Sequence, residues 1–149
     1  MRKQKGFSLI ELLIVVAIIL IIAAIAVPNL MRSRMSANEA SAVGSVRTIV
    51  SAELTYQSQN SSIGFDTMAN LNTATLIDST LAGGSKSGYG FAVTLGSDTP
   101  VSTFVVGAAP LSTSTGTREF CSDQTAVIRV AGTGTTVPTA CAATLAAIQ

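Results

Sequence analysis

From Phe7 to Val27 the chain runs through 21 positions in which only Ser8 and Glu11 interrupt the apolar side chains. Wound as an α-helix, that stretch is about 31 Å long, enough to cross the hydrocarbon core of a bilayer once. Arg2, Lys3 and Lys5 stand before it. The positive-inside bias therefore holds the N-terminus in the cytoplasm and sends everything after Val27 outward.

Glu11 is the residue out of place. A carboxylate near the mouth of a membrane helix costs on the order of 2 to 3 kcal/mol unless it reaches water or a partner. Taken alone it has two readings: it snorkels to the interface without further consequence, or it marks a functional site. A rival for the whole segment is an ordinary secretory signal cut after Ala24-Ile25-Ala26, which fits the small-x-small pattern. Three features oppose that rival: the apolar run outlasts a signal core, no polar stretch precedes Ala24, and Glu11 lies inside the run.

The order of residues is more telling than any one of them. A short basic leader ends in Gly6, Phe7 follows, Glu11 stands four residues on, and an unbroken apolar run continues to Pro28. This arrangement resembles the processing site of type IV prepilins and pseudopilins. The resemblance implies that a membrane prepilin peptidase and N-methyltransferase cuts between Gly6 and Phe7 and methylates the new amine of Phe7. It also implies that Phe7 and Glu11 act in assembly and that Pro28 is a helix kink. Many family members carry a glycine in the apolar run as a second weak point; Leu12 to Val27 has none.

Elementary electrostatics gives those residues a reason. Cleavage would expose a cationic amine at Phe7, and a carboxylate one helical turn away meets such an amine on its own chain or on a neighbour. A subunit paired out of register would leave a charge unsatisfied in lipid-like surroundings, so the pairing sets register. Packing of Leu9, Ile10, Leu12, Leu13 and Ile14 against sister helices supplies the remaining drive.

Beyond the apolar run, charged residues make up only 11% of the chain. Without Arg2, Lys3 and Lys5, six basic side chains face eight acidic ones, which does not suit a general nucleic-acid binder. The chain has no histidine, so the commonest general base and zinc ligand are missing, and its acids do not cluster in sequence. Neither a nucleotide-binding motif nor a G-x-S-x-G elbow occurs. No enzyme, cofactor or metal is expected. Cys121 and Cys141 fall in the exported part, where an oxidising compartment allows them to pair; two buried free thiols are the alternative.

After Pro28, Met31, Met35, Val43, Val46, Val50 and Leu54 recur at helical spacing, with Arg32, Arg34, Asn38, Glu39, Arg47 and Glu53 on other faces. The pattern predicts one helix from Phe7 to Gln57 whose Met and Val stripe is a core face. Ser58 to Ser87 reads as a Ser-, Asn- and Gly-rich connection with a short helix around Thr67 to Leu76. Strands are expected at Gly90–Leu95, Val101–Ala108 and Ala126–Val130, with a turn at Ser122-Asp123-Gln124 after Arg118–Cys121. The tail from Gly132 is expected on the surface. The predicted class is α+β: a long N-terminal helix, membrane-spanning in its first half and amphipathic in its second, on a small C-terminal antiparallel sheet.

In domains, residues 1–6 form a leader, 7–27 the transmembrane and assembly helix, 28–57 its amphipathic continuation, and 58–149 a globular head. Gly88-Tyr89-Gly90-Phe91 and Gly116-Thr117-Arg118-Glu119-Phe120 are similar to the sheet region of bacterial pilins. That similarity implies a Cys121–Cys141 staple closing a C-terminal loop. The resemblance implies a structural subunit: a single-pass precursor in the bacterial inner membrane that becomes a homo-oligomeric type IV pilus. Its partners would be the peptidase, an assembly platform, an ATPase motor and, before assembly, membrane lipid. The alternative is the major pseudopilin of a type II secretion system, a periplasmic filament. In that branch the C-terminal loop often binds calcium, and here Asp98, Glu119 and Asp123 are not grouped in sequence.

Overall fold

The computed structural model describes residues 7–148. Helix α1 (Leu9–Gln59) is followed by two short helices, α2 (Met68–Thr73) and α3 (Ser79–Ala82). Five strands complete the order: β1 (Ser85–Lys86), β2 (Tyr89–Leu95), β3 (Phe104–Pro110), β4 (Arg118–Asp123) and β5 (Arg129–Thr133). The class is α+β. The chain divides into two compact units, one ending at Arg34 and the other beginning at Met35.

The first unit contains the apolar part of α1, which continues unbroken through Pro28. Proline has no N–H to give the carbonyl of Ala24, and its ring crowds the preceding turn. One residue on, the Asn29 side-chain amide donates to the Ile25 carbonyl at 3.1 Å, adding a bond where the ladder is weakest.

In the second unit, α1 presents Glu39, Ala42, Val46, Ile49, Glu53 and Tyr56 to the core, alternating steps of three and four. This corrects the expected stripe. Val46 and Val50 are buried, but Met35 and Val43 are only half-buried, and Met31 and Leu54 are exposed. Each step of four overshoots a full turn by about 40°, so Val46 to Val50 to Leu54 walks off the buried face. Glu39 and Glu53 occupy that face instead.

The connection after α1 is more structured than its composition suggests. Thr67 caps α2 and Asp78 caps α3 through side-chain oxygens that accept from backbone N–H groups three residues on. Phe65, Leu71, Ile77 and Leu81 are all buried, which anchors a polar segment at four apolar points.

The sheet is an antiparallel meander in the order β1-β2-β3-β4-β5. Phe91, Phe104, Val106, Ala108 and Phe120 alternate onto the face that meets α1. Several strand boundaries differ from those expected. β3 begins at Phe104, because Val101 bonds back to Ile63 and Phe65 rather than across the sheet. β4 runs on through Asp123, and β5 starts only at Arg129, because Ala126 (φ 59°) occupies a left-handed turn whose N–H donates to the Asp123 carbonyl. Asp123 holds that turn further by accepting from the Thr125 N–H at 2.9 Å.

The tail lies on the surface, as expected, with none of residues 132–148 buried, and it is held there as a strap. Gly132 and Thr133 belong to β5. Farther on, the chain crosses the sheet face opposite α1, where a Cβ on Gly107 would run into the Pro138 carbonyl. Cys121, on the same outer face of β4, is disulfide-bonded to Cys141. The strap then lines the free edge of β5: the Val130 N–H donates to Ala146 and the Ile148 N–H to Ile128, at 2.9 and 2.8 Å. A covered edge cannot template pairing with another chain.

Candidate functional site

The N-terminal site is built at the first turn of α1. Ser8 is its cap, since the Leu12 N–H donates to the Ser8 carbonyl at 3.2 Å. Three residues on, Glu11 folds its carboxylate back over the helix end, and Oε2 accepts from the Ser8 N–H at 3.4 Å. This is one half of a capping box, and the helix dipole favours a negative charge there. Phe7 is exposed immediately before it. Gly6, the residue expected to precede the cut, lies outside the described residues.

From Phe7 to Val27 every side chain is exposed except the half-buried Ala23. A continuous apolar surface of that size on a single chain marks a place where lipid or other protein belongs. Pro28 lies just past it inside the helix.

Two further acidic residues, assigned to other faces by sequence spacing, organise the head. Glu39 Oε1 accepts from the Thr117 N–H and hydroxyl, both at 3.1 Å, and from the Arg118 N–H at 3.3 Å. Its Oε2 takes Arg118 Nε at 2.8 Å and Nη2 at 2.7 Å, a two-pronged pair. Burial pushes this carboxyl up, but the Thr117 and Arg118 donors more than offset that and hold it below its usual range. Beside it, the Tyr89 hydroxyl donates to the Arg118 carbonyl at 3.0 Å. Burial, then the Glu39 charge, push that phenol up to about 12. Gly116 is required here, since a Cβ would strike the Tyr89 ring.

Glu53 is wholly buried. Its Oε2 accepts from the Asp66 N–H at 3.1 Å, while Oε1 has no hydrogen-bond partner among the described residues. Asp66 in turn accepts from the Thr67 N–H at 2.7 Å and the Tyr56 hydroxyl at 3.1 Å. Burial raises the Asp66 carboxyl, but these donors outweigh it and leave the group below its usual range. No local signal announces Glu39 or Glu53, because the partners of Glu39 lie 78 and 79 positions away and those of Glu53 lie across a loop.

The remaining acids are used singly. Asp123 pairs with the buried Arg129 at 3.7 Å, and Asp98 accepts from the Ser102 hydroxyl at 2.7 Å. Among the described residues no three His, Cys, Asp or Glu side chains come together as metal ligands.

Residues 1–27 match the family described as the prokaryotic N-terminal methylation motif. Over 62 residues, 42% of this chain and 47% of the relative, the sequence is 47% identical to the type IV wide pilus major component PilA4 of Thermus thermophilus. It is 33% identical over 78 residues to the type II secretion system core protein G of Aeromonas hydrophila, covering 49% of this chain and 54% of that one. It is also 39% identical over 57 residues to the type IV major pilin protein PilA of Myxococcus xanthus, covering 38% of this chain and 26% of that one. The chain thus spans about half the length, or less, of the curated relatives it matches. No solved structure matches it. These matches bear out the resemblance read from Lys5 to Pro28.

Proposed function

We propose that this chain is the structural subunit of a type IV pilus. It is inserted in the bacterial inner membrane with its N-terminus in the cytoplasm, cut between Gly6 and Phe7, N-methylated at Phe7, and polymerised through the apolar part of α1. The observation that carries this reading is the placement of Glu11. Its carboxylate leans back to the Ser8 N–H at the head of an exposed apolar helix, one residue from where cleavage would create a cationic amine. Such an amine would meet a negative charge already turned toward it, and the same carboxylate is within the first turn for an amine of a neighbouring subunit. The match of residues 1–27 to a methylation motif supports the same site.

The subunit's role is mechanical rather than catalytic; the peptidase, the assembly platform and the ATPase motor are separate partners. The head, stapled by Cys121–Cys141 and draped by its strap, faces outward and forms the fibre surface.

A second reading, the major pseudopilin of a type II secretion system, is favoured by the identity to core protein G of Aeromonas hydrophila. The two readings differ in where the polymer ends up. Shearing cells, imaging the released fibres by electron microscopy and identifying their main component by mass spectrometry should recover this chain beginning at Phe7. Recovery only from the periplasm, with loss of secreted enzymes on deletion, selects the pseudopilin reading. Gly6→Leu should leave an uncut precursor in the membrane, detected as a mass that retains residues 1–6.

A further inference from the structure

Glu53 has no role in the assembly site, yet it occupies the centre of the head core with 0% exposure. The apolar core of the head includes Ile49, Val50, Phe65, Leu71 and Phe104. One carboxyl oxygen is held by the Asp66 N–H, and the other has no hydrogen-bond partner among the described residues. An anion in such a place loses its hydration without a compensating charge. The ionisable groups that face it are Asp66, from the connection after α1, and Tyr56, one turn along α1, whose hydroxyl is committed to Asp66. Helices α2 and α3 and strand β3 carry no ionisable side chain. Of the other charged groups on packed elements, Lys86 pairs with Asp78, Arg118 with Glu39 and Arg129 with Asp123. Tyr89 of β2 is bonded to Arg118.

The bond that Glu53 does make is at a junction. Asp66 follows Phe65, whose N–H donates to the Val101 carbonyl at 3.1 Å and whose ring lies 4.5 Å from that of Phe104. The Val101 N–H donates in turn to Ile63 at 2.9 Å. Two segments without regular structure, Ile63–Asp66 and the residues before β3, are therefore tied to α1 at Asp66, whose N–H is held by Glu53 and whose carboxylate is held by Tyr56.

We propose that Glu53 is a proton-operated latch: as a neutral acid it holds Ile63–Asp66 on α1, and on losing its proton it loosens that connection and the Val101 segment bonded to it. Burial, with the Asp66 charge behind it and only partly opposed by the Asp66 N–H, pushes this carboxyl from 4.5 up to about 7. Folding therefore favours the protonated form. The stabilisation is complete below the ordinary value of 4.5 and is lost as pH rises through about 7. The head is tight in acid and loosens at this junction toward alkaline pH.

The test uses the full chain in non-ionic detergent micelles, unfolded by denaturant at pH 5 and pH 8 alongside Glu53→Gln. The wild-type unfolding constant, divided by that of the variant, should rise roughly seventyfold between the two pH values, because the variant cannot ionise. Amide exchange at Phe65 and Val101, corrected for intrinsic rates, should speed up at pH 8 in the wild type alone. Parallel wild-type and variant profiles would overturn the latch. Should Glu53→Gln fail to fold, carbon-13 NMR of the wild-type Glu53 carboxyl decides the question: a midpoint well above 6 supports the latch and one near 4.5 overturns it. Calcium that slows exchange at pH 8 in the wild type but not in Glu53→Gln would also overturn it, assigning the site to a cation instead.

Discussion

Glu11, Glu39 and Glu53 stand on the same helix with the same side chain, and their neighbours give them three different tasks. Glu11 is exposed at a helix start, where its charge is available to an amine. Glu11→Val should therefore leave the precursor inserted and cut at Gly6 but sharply reduce fibres, counted by electron microscopy of sheared material; abundant normal fibres would remove the charge-pairing mechanism. Glu39 already has its donors, five contacts from Thr117 and Arg118. Glu39→Ala removes the charged acceptor of the Thr117 and Arg118 donors and should cost about 1.5 to 3 kcal/mol in denaturant unfolding of the full chain in micelles. The proposal for Gly6, Phe7 and Glu11 comes from sequence because their relation is one of spacing along a single segment. The tasks of Glu39 and Glu53 were not, because nothing near either residue along the chain shows which donors will arrive from elsewhere.

At the level of elements, the strap and its disulfide act together. Cys121 and Cys141 are 20 positions apart, and opening a loop of that size should cost about 3 kcal/mol. In Cys141→Ser, amide exchange at Val130 and Ile148 should accelerate before that of the β2–β3 pairs, because those two N–H groups bond only to and from the strap. Gly107→Val tests the seating of the strap without touching the disulfide: its side chain would meet Val137 and Pro138, and overpacking of this kind costs roughly 1 to 3 kcal/mol. Uniform exchange across the sheet in both variants would show that the strap is not a separate element. Strand β2 was legible from apolar alternation; β4, which runs through the turn expected at Ser122, and the starts of β3 and β5 were not. Those boundaries depend on where Val101 finds its partners and on a left-handed Ala126, neither of which leaves a mark in local composition.

For the molecule as a whole, the acids set opposing limits on pH. Glu53 favours the fold at low pH, and its contribution is lost as pH rises through about 7. Glu39 and Asp66 lie below their ordinary values of 4.5 and 3.8, so their contributions are present above those values and are lost as pH falls through the depressed ones. Unfolding of the full chain in micelles, followed from pH 3 to pH 9, should show greatest stability near pH 5. A maximum at pH 8 would contradict the burial of Glu53 as an acid.

An apolar run as long as a bilayer is thick, the basic residues before it and a lone carboxylate one turn inside are one-dimensional facts, and they alone announced a helix long and apolar enough to cross a membrane and carry the proposal of a processing site at its head. Helical and strand periods likewise announced an α+β chain. Which face of α1 would be covered, that two glutamates would lie beneath it, and that the tail would become a strap across the sheet were decided only when distant segments met. A buried charge is tolerable or not according to the donors that surround it in space, and those donors come from parts of the chain whose separation along the sequence carries no record of the encounter.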